Sequence, residues 1–310
     1  MLAGAVSQSF PDIDFVSTFW LRDAGDIIGH RGFTHSIVFG VLGTLLLAWL
    51  IKTIFRKGDL SWKLCLLLAG INIATHLFLD SFNAYGVGWL EPFSHKRFSF
   101  HVLFVADPFF SIWPFIGFMG LLLFRNTYKR RKLWWRLGIG LPAVYLLYAI
   151  VNKSIVVADV RRNLEAQGIA TDNYLVTPTP FNSWLWFVAA KDKAGYYIAH
   201  RSVFDGKRHL AFTYFAQNDS LQKAVKNQKE LGNMIRFANH FYTLERKTDT
   251  IQINVLRFGQ IVGWYDPKES FTFYYYFDHP ESNQVVAQRG RFKRWNRETI
   301  AALWRRIRGN

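Results

Sequence analysis

The chain holds one cysteine, Cys65, and that scarcity excludes two classes at once. A single thiol inside an apolar run supports neither a disulfide framework nor a cysteine-based zinc site. Acidic residues are also few: 22 Asp and Glu stand against 38 Lys and Arg, a formal net charge of +16. That excess is a poor argument for nucleic acid, because a protein facing anionic lipid headgroups has its own reason to be basic. No nucleic-acid partner is expected. No cleavable signal peptide is expected in residues 1–9, which are short and lack a positively charged n-region.

What the chain does have is apolar length. Half of its 310 residues are hydrophobic, and the mean hydropathy of +0.04 hides two unlike halves. Residues 1–151 carry long apolar stretches; residues 152–310 are polar and charged, with short aromatic runs. Four stretches, 36–54, 62–79, 108–124 and 133–151, are long enough to cross a hydrocarbon core of roughly 30 Å. The expected fold is an α-helical polytopic membrane bundle over 1–151, followed by a small α+β, mainly antiparallel, extramembrane domain over 152–310. Within the second half, runs in 184–214 and at 241–244, 251–258, 260–265 and 271–277 read as strands. Residues 220–240 and 297–308 read as helices.

Loop charge orients the bundle. Lys52, Arg56, Lys57 and Lys63 follow the first stretch, and Arg125, Lys129, Arg130, Arg131, Lys132 and Arg136 follow the third. Short loops rich in Lys and Arg stay in the cytoplasm. The start of the first span, the end of the second, the start of the third and the C-terminal domain are then expected outside. In a Gram-negative bacterium that side is the periplasm.

The His and Asp residues collect at that same outer end. His76 and Asp80 are four residues apart on one helical face, with Asn72 one turn earlier on the same stripe. His30 and His35 bracket Arg-Gly-Phe-Thr just before the first span, where Thr34 is placed to cap the helix that His35 enters. Asp12 and Asp14 follow Pro11. In an extended chain alternate side chains oppose each other, so one of the two carboxylates is expected to bind unless the backbone turns. Asp107-Pro108 is a natural helix start, with Asp107 either a helix cap or a further ligand or general base. Glu91, His95 and His101 are reserve ligands. Imidazoles and carboxylates gathered at one place suit a divalent ion, zinc first, with manganese or magnesium as alternatives. Arg31 beside them offers a planar fork for an oxyanion such as phosphate. Ionisable groups spread through the membrane depth would indicate a transporter; here they cluster at one end.

The strings FPDID, HRGFTHS, THLFLDSFNAYGVGWLEPFS and FVADPFF, in this order, resemble the inner-membrane-bound metal-dependent hydrolase family, long described as a domain of unknown function. The resemblance covers about residues 3–150, and YLVTPTPFNSWLW at 174–186 resembles the longer members. That family is distantly similar to the zinc-dependent phospholipase C and P1 nuclease group, whose metals are held by His and Asp. The resemblance implies metal binding by His76, Asp80, His35 and Asp12 or Asp14. It also implies a bacterial inner-membrane location and hydrolysis of a phosphoester; the place of the site at the membrane surface adds the expectation of a lipid or lipid-linked substrate. His30 would be a ligand or its supporting partner, Arg31 an oxyanion clamp and Asp107 a ligand or base. Members usually open with a helix ahead of a Gly-rich segment, and Met1-Leu-Ala-Gly-Ala falls inside that helix in this chain. The competing expectation is a non-catalytic metal-binding membrane scaffold or sensor, or a degenerate hydrolase.

Overall fold

The computed structural model describes residues 2–19, 31–55, 60–124, 129–206, 208–277 and 294–309. The chain divides into two compact units, one of residues 1–100 with 232–239 and one of residues 101–231 with 240–310.

The first unit is helical. Helix α1 (Leu2–Ser9) leads into a 3-10 segment (Phe10–Phe19), and a short 3-10 turn (Phe33–His35) precedes α2 (Ile37–Ile54) and α3 (Trp62–Asp80). Ser36 caps α2 by accepting from Phe39 N at 3.0 Å, and Ser61 caps α3 by accepting from Leu64 N at 3.2 Å. The cap of α2 is thus Ser36 rather than Thr34, and His35 sits in the turn before the helix. Leu47, Ala69, Ile73 and Leu77 form the seam between α2 and α3, with Phe10 packed against it. The other sides of both helices leave Val41, Leu42, Leu45, Leu67 and Ile71 exposed. In a soluble protein so much exposed apolar surface would be a liability; on helices of mean hydropathy 2.1 and 1.6 it is a lipid-facing surface. Cys65 is buried and free, as expected.

The second unit opens with α4 (Pro108–Leu123) and α5 (Arg131–Ala166). Lipid is as apolar as Leu, so such a pair associates through close packing rather than through the hydrophobic effect. Gly117 meets this need: a Cβ there would stand 2.8 Å from both Gly138 Cα and Trp134 O. Among the described residues α2, α3 and α5 are long and apolar enough to cross a membrane. Helix α4, the fourth expected span, has 16 residues and is about 24 Å long.

Helix α5 does not stop at 151. It runs 36 residues, so the expected division at 151/152 lies inside it. The charges at Lys153, Asp159, Arg161 and Arg162 mark a change of helix face rather than a linker. Val156, Val160 and Leu164 recur at i, i+4 and i+8 and bury against Val176, Trp186, Val188, Ala190 and Ala199 of the sheet. That sheet is an antiparallel meander of β1 (Tyr174–Pro178), β2 (Leu185–Lys191), β3 (Gly195–Ser202) and β4 (Thr213–Ala216). A second sheet orders β5 (Tyr242–Arg246), β6 (Ile251–Gln260) and β7 (Phe271–Tyr276). The two sheets share a core of Leu175, Phe187, Ala189, Tyr196, Ile198, Phe241, Leu256 and Phe271.

Two local expectations change. The segment 260–265 is not a strand: β6 ends at Gln260, after a register shift and Gly259 at φ +75°, and the chain turns. The helix expected over 220–240 splits into a 3-10 turn (Asp219–Ala224) and α6 (Gln228–Phe237), because Val225 is extended. Helix α7 (Arg297–Ile307) closes the fold over Leu185, Ile261, Val262 and Trp264.

Candidate metal centre

Three separate segments bring four side chains to one point. Asp12 comes from the first 3-10 segment, His35 from the turn before α2, and His76 with Asp80 from the last turns of α3. The i, i+4 spacing of His76 and Asp80 places both on the face of α3 that meets the other two. The hairpin after α3 holds the turn bearing His35: Gly88 N donates to Arg31 O at 3.1 Å, and Ile37 N donates to Trp89 O at 3.0 Å. Gly86 lets the chain fold back there. Its φ is +65°, and a Cβ would stand 2.7 Å from Phe98 O.

One donor atom from each residue lies within 4.8 Å of every other. His35 Nε2 and His76 Nε2 are 3.3 Å apart, and Asp12 Oδ1 stands 3.4 Å from each. Asp80 Oδ2 is 3.5 Å from His35 Nε2 and 3.7 Å from His76 Nε2. A four-coordinate ion with ligands at about 2.0–2.1 Å spaces its donors about 3.3–3.4 Å apart. These five of the six separations are close to that spacing, and the sixth, between Asp12 and Asp80, is within 4.8 Å. They exceed good hydrogen bonds, which prefer 2.7–3.2 Å for nitrogen donors. Asp80 Oδ2 is buried and makes no well-formed hydrogen bond, although three nitrogens face it. The Arg31 guanidinium at 3.2 Å supplies that oxygen with one nearby positive charge, and a bound ion would supply the direct ligand bond it lacks. On these grounds the four residues could hold a metal ion.

The electrostatics agree. Hydrogen bonds to His35 and then His76 hold the Asp12 carboxyl far below the usual carboxylate range, against the opposing effect of burial. Burial of the His35 imidazole disfavours its charged form, but the facing Asp12 and Asp80 carboxylates, with Asp14, outweigh this and leave its pKa raised. Negative charge thus dominates the point where the donors meet.

Around the four stand supporting residues. Thr34 Oγ1 lies 3.1 Å from His35 Nδ1, and Asp14 Oδ2 faces the same nitrogen at 3.6 Å. Asp14 also accepts from Arg31 N at 2.6 Å. A proton on His35 Nδ1 leaves Nε2 with its lone pair toward the cluster. The Arg31 guanidinium reaches Asp80 Oδ2 with Nε at 3.2 Å and donates from Nη1 to Asn83 Oδ1 at 2.9 Å, over the Tyr85 ring. Asn83 was not picked from the sequence. Its Oδ1 also accepts from Tyr85 N and Gly86 N, so it orders the turn that holds Arg31; an Asn three residues before a Gly was the available signal.

The other named residues do different things. Asp107 belongs to the second unit, where it caps α4 by accepting from Phe109 N and Phe110 N and takes a hydrogen bond from Tyr145 at 2.9 Å. Asn72 donates to Leu68 O of its own helix. Glu91 and His95 pair with each other at 2.9 Å. His101 is buried in the second unit, where burial, followed by Arg257 and Lys153, lowers its pKa well below the ordinary value. His30 lies outside the described residues.

These features define a helical membrane protein with a His/Asp group that could hold a metal ion. Residues 1–156 of the 310 match the YdjM inner membrane protein family, and the chain belongs to it. Among curated proteins it is similar to inner membrane protein YbcI of Escherichia coli, 37% identical over 100 residues. That match covers 32% of this chain and 56% of YbcI. It is also similar to YfhP of Bacillus subtilis, a protein named as uncharacterized, 34% identical over 113 residues. Here 36% of this chain and 33% of YfhP are covered. The chain thus spans about half and about a third of these relatives' lengths. No solved structure matches.

Proposed function

We propose that this protein is a metal-dependent hydrolase of phosphoester bonds, working at the outer membrane–water interface. The observation that carries the reading is the convergence of Asp12, His35, His76 and Asp80, Asp12 half exposed, with the Arg31 guanidinium 3.2 Å from Asp80. Two imidazoles and two carboxylates suit zinc, with manganese or magnesium as alternatives. Such an ion supplies a water of lowered pKa and a Lewis acid for a phosphoryl oxygen.

The protein's own part follows from the contacts. His35 is fully buried and holds its ring by Nδ1, so its Nε2 stays aimed at the centre. Asp12 is half exposed and comes from a separate segment, which makes it the donor best able to give way to a substrate oxygen or water. Arg31, fixed by Asn83 and Tyr85, offers fixed positive charge to a phosphoryl oxygen without having to order itself. In this reading Asp14 orients His35 rather than binding the ion, and Asp107 is a helix cap. The basic connections after α2 and after α4 support an outward-facing site. A lipid or lipid-linked phosphoester is the substrate class that a site at the ends of membrane helices would meet.

One observation favours a second reading. Four protein donors are as many as a structural zinc site uses, whereas catalytic sites keep a position open. A non-catalytic metal-binding scaffold or sensor would use such a closed set. Cobalt-substituted protein separates the two. The hydrolase reading expects its visible spectrum to change on adding inorganic phosphate, and zinc-loaded protein to cleave phosphodiester or phospholipid substrates. A four-coordinate spectrum indifferent to phosphate, with no cleavage, would sink the hydrolase and leave the scaffold.

A further inference from the structure

Helix α5 keeps one apolar face over most of its length. Leu133, Val144, Leu147, Val151 and Ile155 share that face by the helical period and are 47 to 63% exposed. A Cβ at Gly140, on the same face, would meet nothing within 4 Å. Beyond Ile155 the next charge in line is Arg162, whose side chain is 72% exposed and pairs with Asp159. At about 1.5 Å per residue, Leu133 to Ile155 covers about 33 Å and Leu133 to Arg162 about 44 Å. The hydrocarbon core of a bilayer is roughly 30 Å thick, and the bilayer with its headgroups roughly 40–45 Å. The lipid-facing stripe thus runs to Ile155, one turn beyond the apolar run that ends at 151.

The other side of the same turns is already covered by the sheet domain. Asn152 and Val156 are buried there, Asn152 donating to Ser183 O at 2.9 Å and Val156 packing on the first sheet. The loop between β1 and β2 reaches lower still. Trp184 donates from Nε1 to the Tyr148 hydroxyl at 2.8 Å and sets its ring against Phe109 of α4, centroids 5.1 Å apart. Tyr148 lies about 10 Å before Ile155 along the helix. Part of the extramembrane fold therefore sits below the end of the lipid-facing stripe.

Independent features suit that depth, where polar groups find little water and irregular backbone must satisfy itself. Ser154, exposed at the edge of the stripe, donates its hydroxyl to Ile150 O of its own helix at 2.9 Å. The loop turns inward in the same way through Asn182. Its Oδ1 accepts from Trp184 N at 2.9 Å and Leu185 N at 2.8 Å. Its Nδ2 donates to Thr179 Oγ1 at 2.9 Å and Pro180 O at 3.0 Å. The ring of Phe181 packs edge-on against both Phe104 and Trp295. Aromatic rings of this kind collect at membrane–water interfaces.

We infer that the β1–β2 loop is an interfacial anchor, immersed in the leaflet on the sheet side, with lipid against Val151, Ile155 and the exposed parts of Phe181 and Trp184. The occupant is lipid because this surface continues the lipid-facing stripe of α5 without a break. The base of the sheet domain then stands in the headgroup layer rather than above it. The inference rests on α5 crossing the membrane and not on the hydrolase reading, since no residue of the metal centre takes part in it.

Spin labels on the full chain in lipid nanodiscs test this, starting from Cys65→Ala, which removes the one native thiol. Labels go on Ile155→Cys, on Pro180→Cys in the loop and, as a water reference, on Lys193→Cys in the turn at the far end of β2. Oxygen concentrates in lipid, whereas a neutral nickel chelate stays in water. Labels at 155 and 180 should meet oxygen several-fold more often, relative to the chelate, than the label at 193. A ratio at 155 or 180 equal to that at 193 would put the position in water and overturn the anchor. Few encounters with either reagent would put protein in place of lipid against this face, and would overturn it as well. If Ile155→Cys does not fold, Val151→Cys on the same stripe gives the same reading.

Discussion

Two groups of ionisable side chains are packed into this molecule, and they are built in opposite ways. In the second unit, Asp205 meets Arg306 at 2.5 and 2.8 Å and accepts from Ser202 N at 2.8 Å. Each carboxylate oxygen has its own donor, and the geometry is that of a bidentate Arg–carboxylate pair. In the first unit, the four donors of Asp12, His35, His76 and Asp80 lie within 4.8 Å of one another, five of the six pairs at 3.3 to 3.7 Å. The first arrangement ties α7 to β3 and the loop after it. The second holds separate segments around a space of ionic size. Burial of charge is common to both; the distance between the groups, and whether they pair or surround, tells a fastening from a binding site.

The comparison breaks most sharply at the metal. His76→Ala/Asp80→Ala removes two of four donors and should lower zinc affinity by about a thousand-fold or more, read as metal content of purified protein. The same double mutant should leave the melting of the extramembrane sheets unchanged. Its mirror image is Arg201→Met, which removes the buried partner of Asp159 Oδ2 while Arg162 stays on Asp159 and Arg306 on Asp205. Stranding a buried charge outright costs about 3–5 kcal/mol, and with those partners left the loss should be smaller. Near-UV circular dichroism in denaturant should register that loss while zinc stoichiometry stays at the wild-type value. If Arg201→Met strips the metal, the two groups are not separable as described.

A finer cut is Asp14→Asn, which keeps the shape beside His35 and removes the charge facing Nδ1. Loss of such a supporting carboxylate typically costs 10–100-fold in metal affinity, measurable by competition with a chelator of known affinity. An unchanged affinity would remove Asp14 from the site. The smallest effect concerns pH. His200 is held neutral by burial, with a pKa pushed down to about 3, while the unfolded imidazole titrates near 6.5. Between these values the unfolded state binds the extra proton, so stability of the sheet domain falls as pH drops from about 6.5 toward 3. The slope from His200 is at most about 1.4 kcal/mol per pH unit. His101 adds a contribution of the same sign, since its pKa is also lowered. Melting in phosphate-free buffer at pH 7 and pH 5 should show the drop, and His200→Gln should reduce it. An identical pH dependence in that variant would rule out His200 as a source.

Much of the candidate metal centre is legible in the sequence because helical spacing is local. His76 and Asp80 share a face by the 3.6-residue period, and the apolar runs put them at a helix end. The choice between Asp12 and Asp14 was not legible, because it depends on a 3-10 turn where the chain could equally have been extended. Asn72 continues the His76 stripe in sequence, but it satisfies its amide one turn back along its own helix. Asn83 escaped notice because its role is to three backbone and side-chain groups of a turn. In the second half, most strand positions followed from aromatic alternation, while the single helix Arg131–Ala166 running through the composition shift was not legible, because its residues pass from apolar to charged along its length.

The sequence by itself determined the apolar helices, the strand-rich second half and the chemical identity of the donors, since each of these follows from side-chain type and short-range periodicity. Only the tertiary structure decided that Asp12, His35, His76 and Asp80 form one group while Asp107 caps a helix and Glu91 pairs with His95. Those partners are separated by tens of residues or compete with neighbours close by. Which contact wins is set by how α2 and α3 pack through Gly40, Ile73 and Leu77 and by the hairpin that pins Arg31 and Ile37.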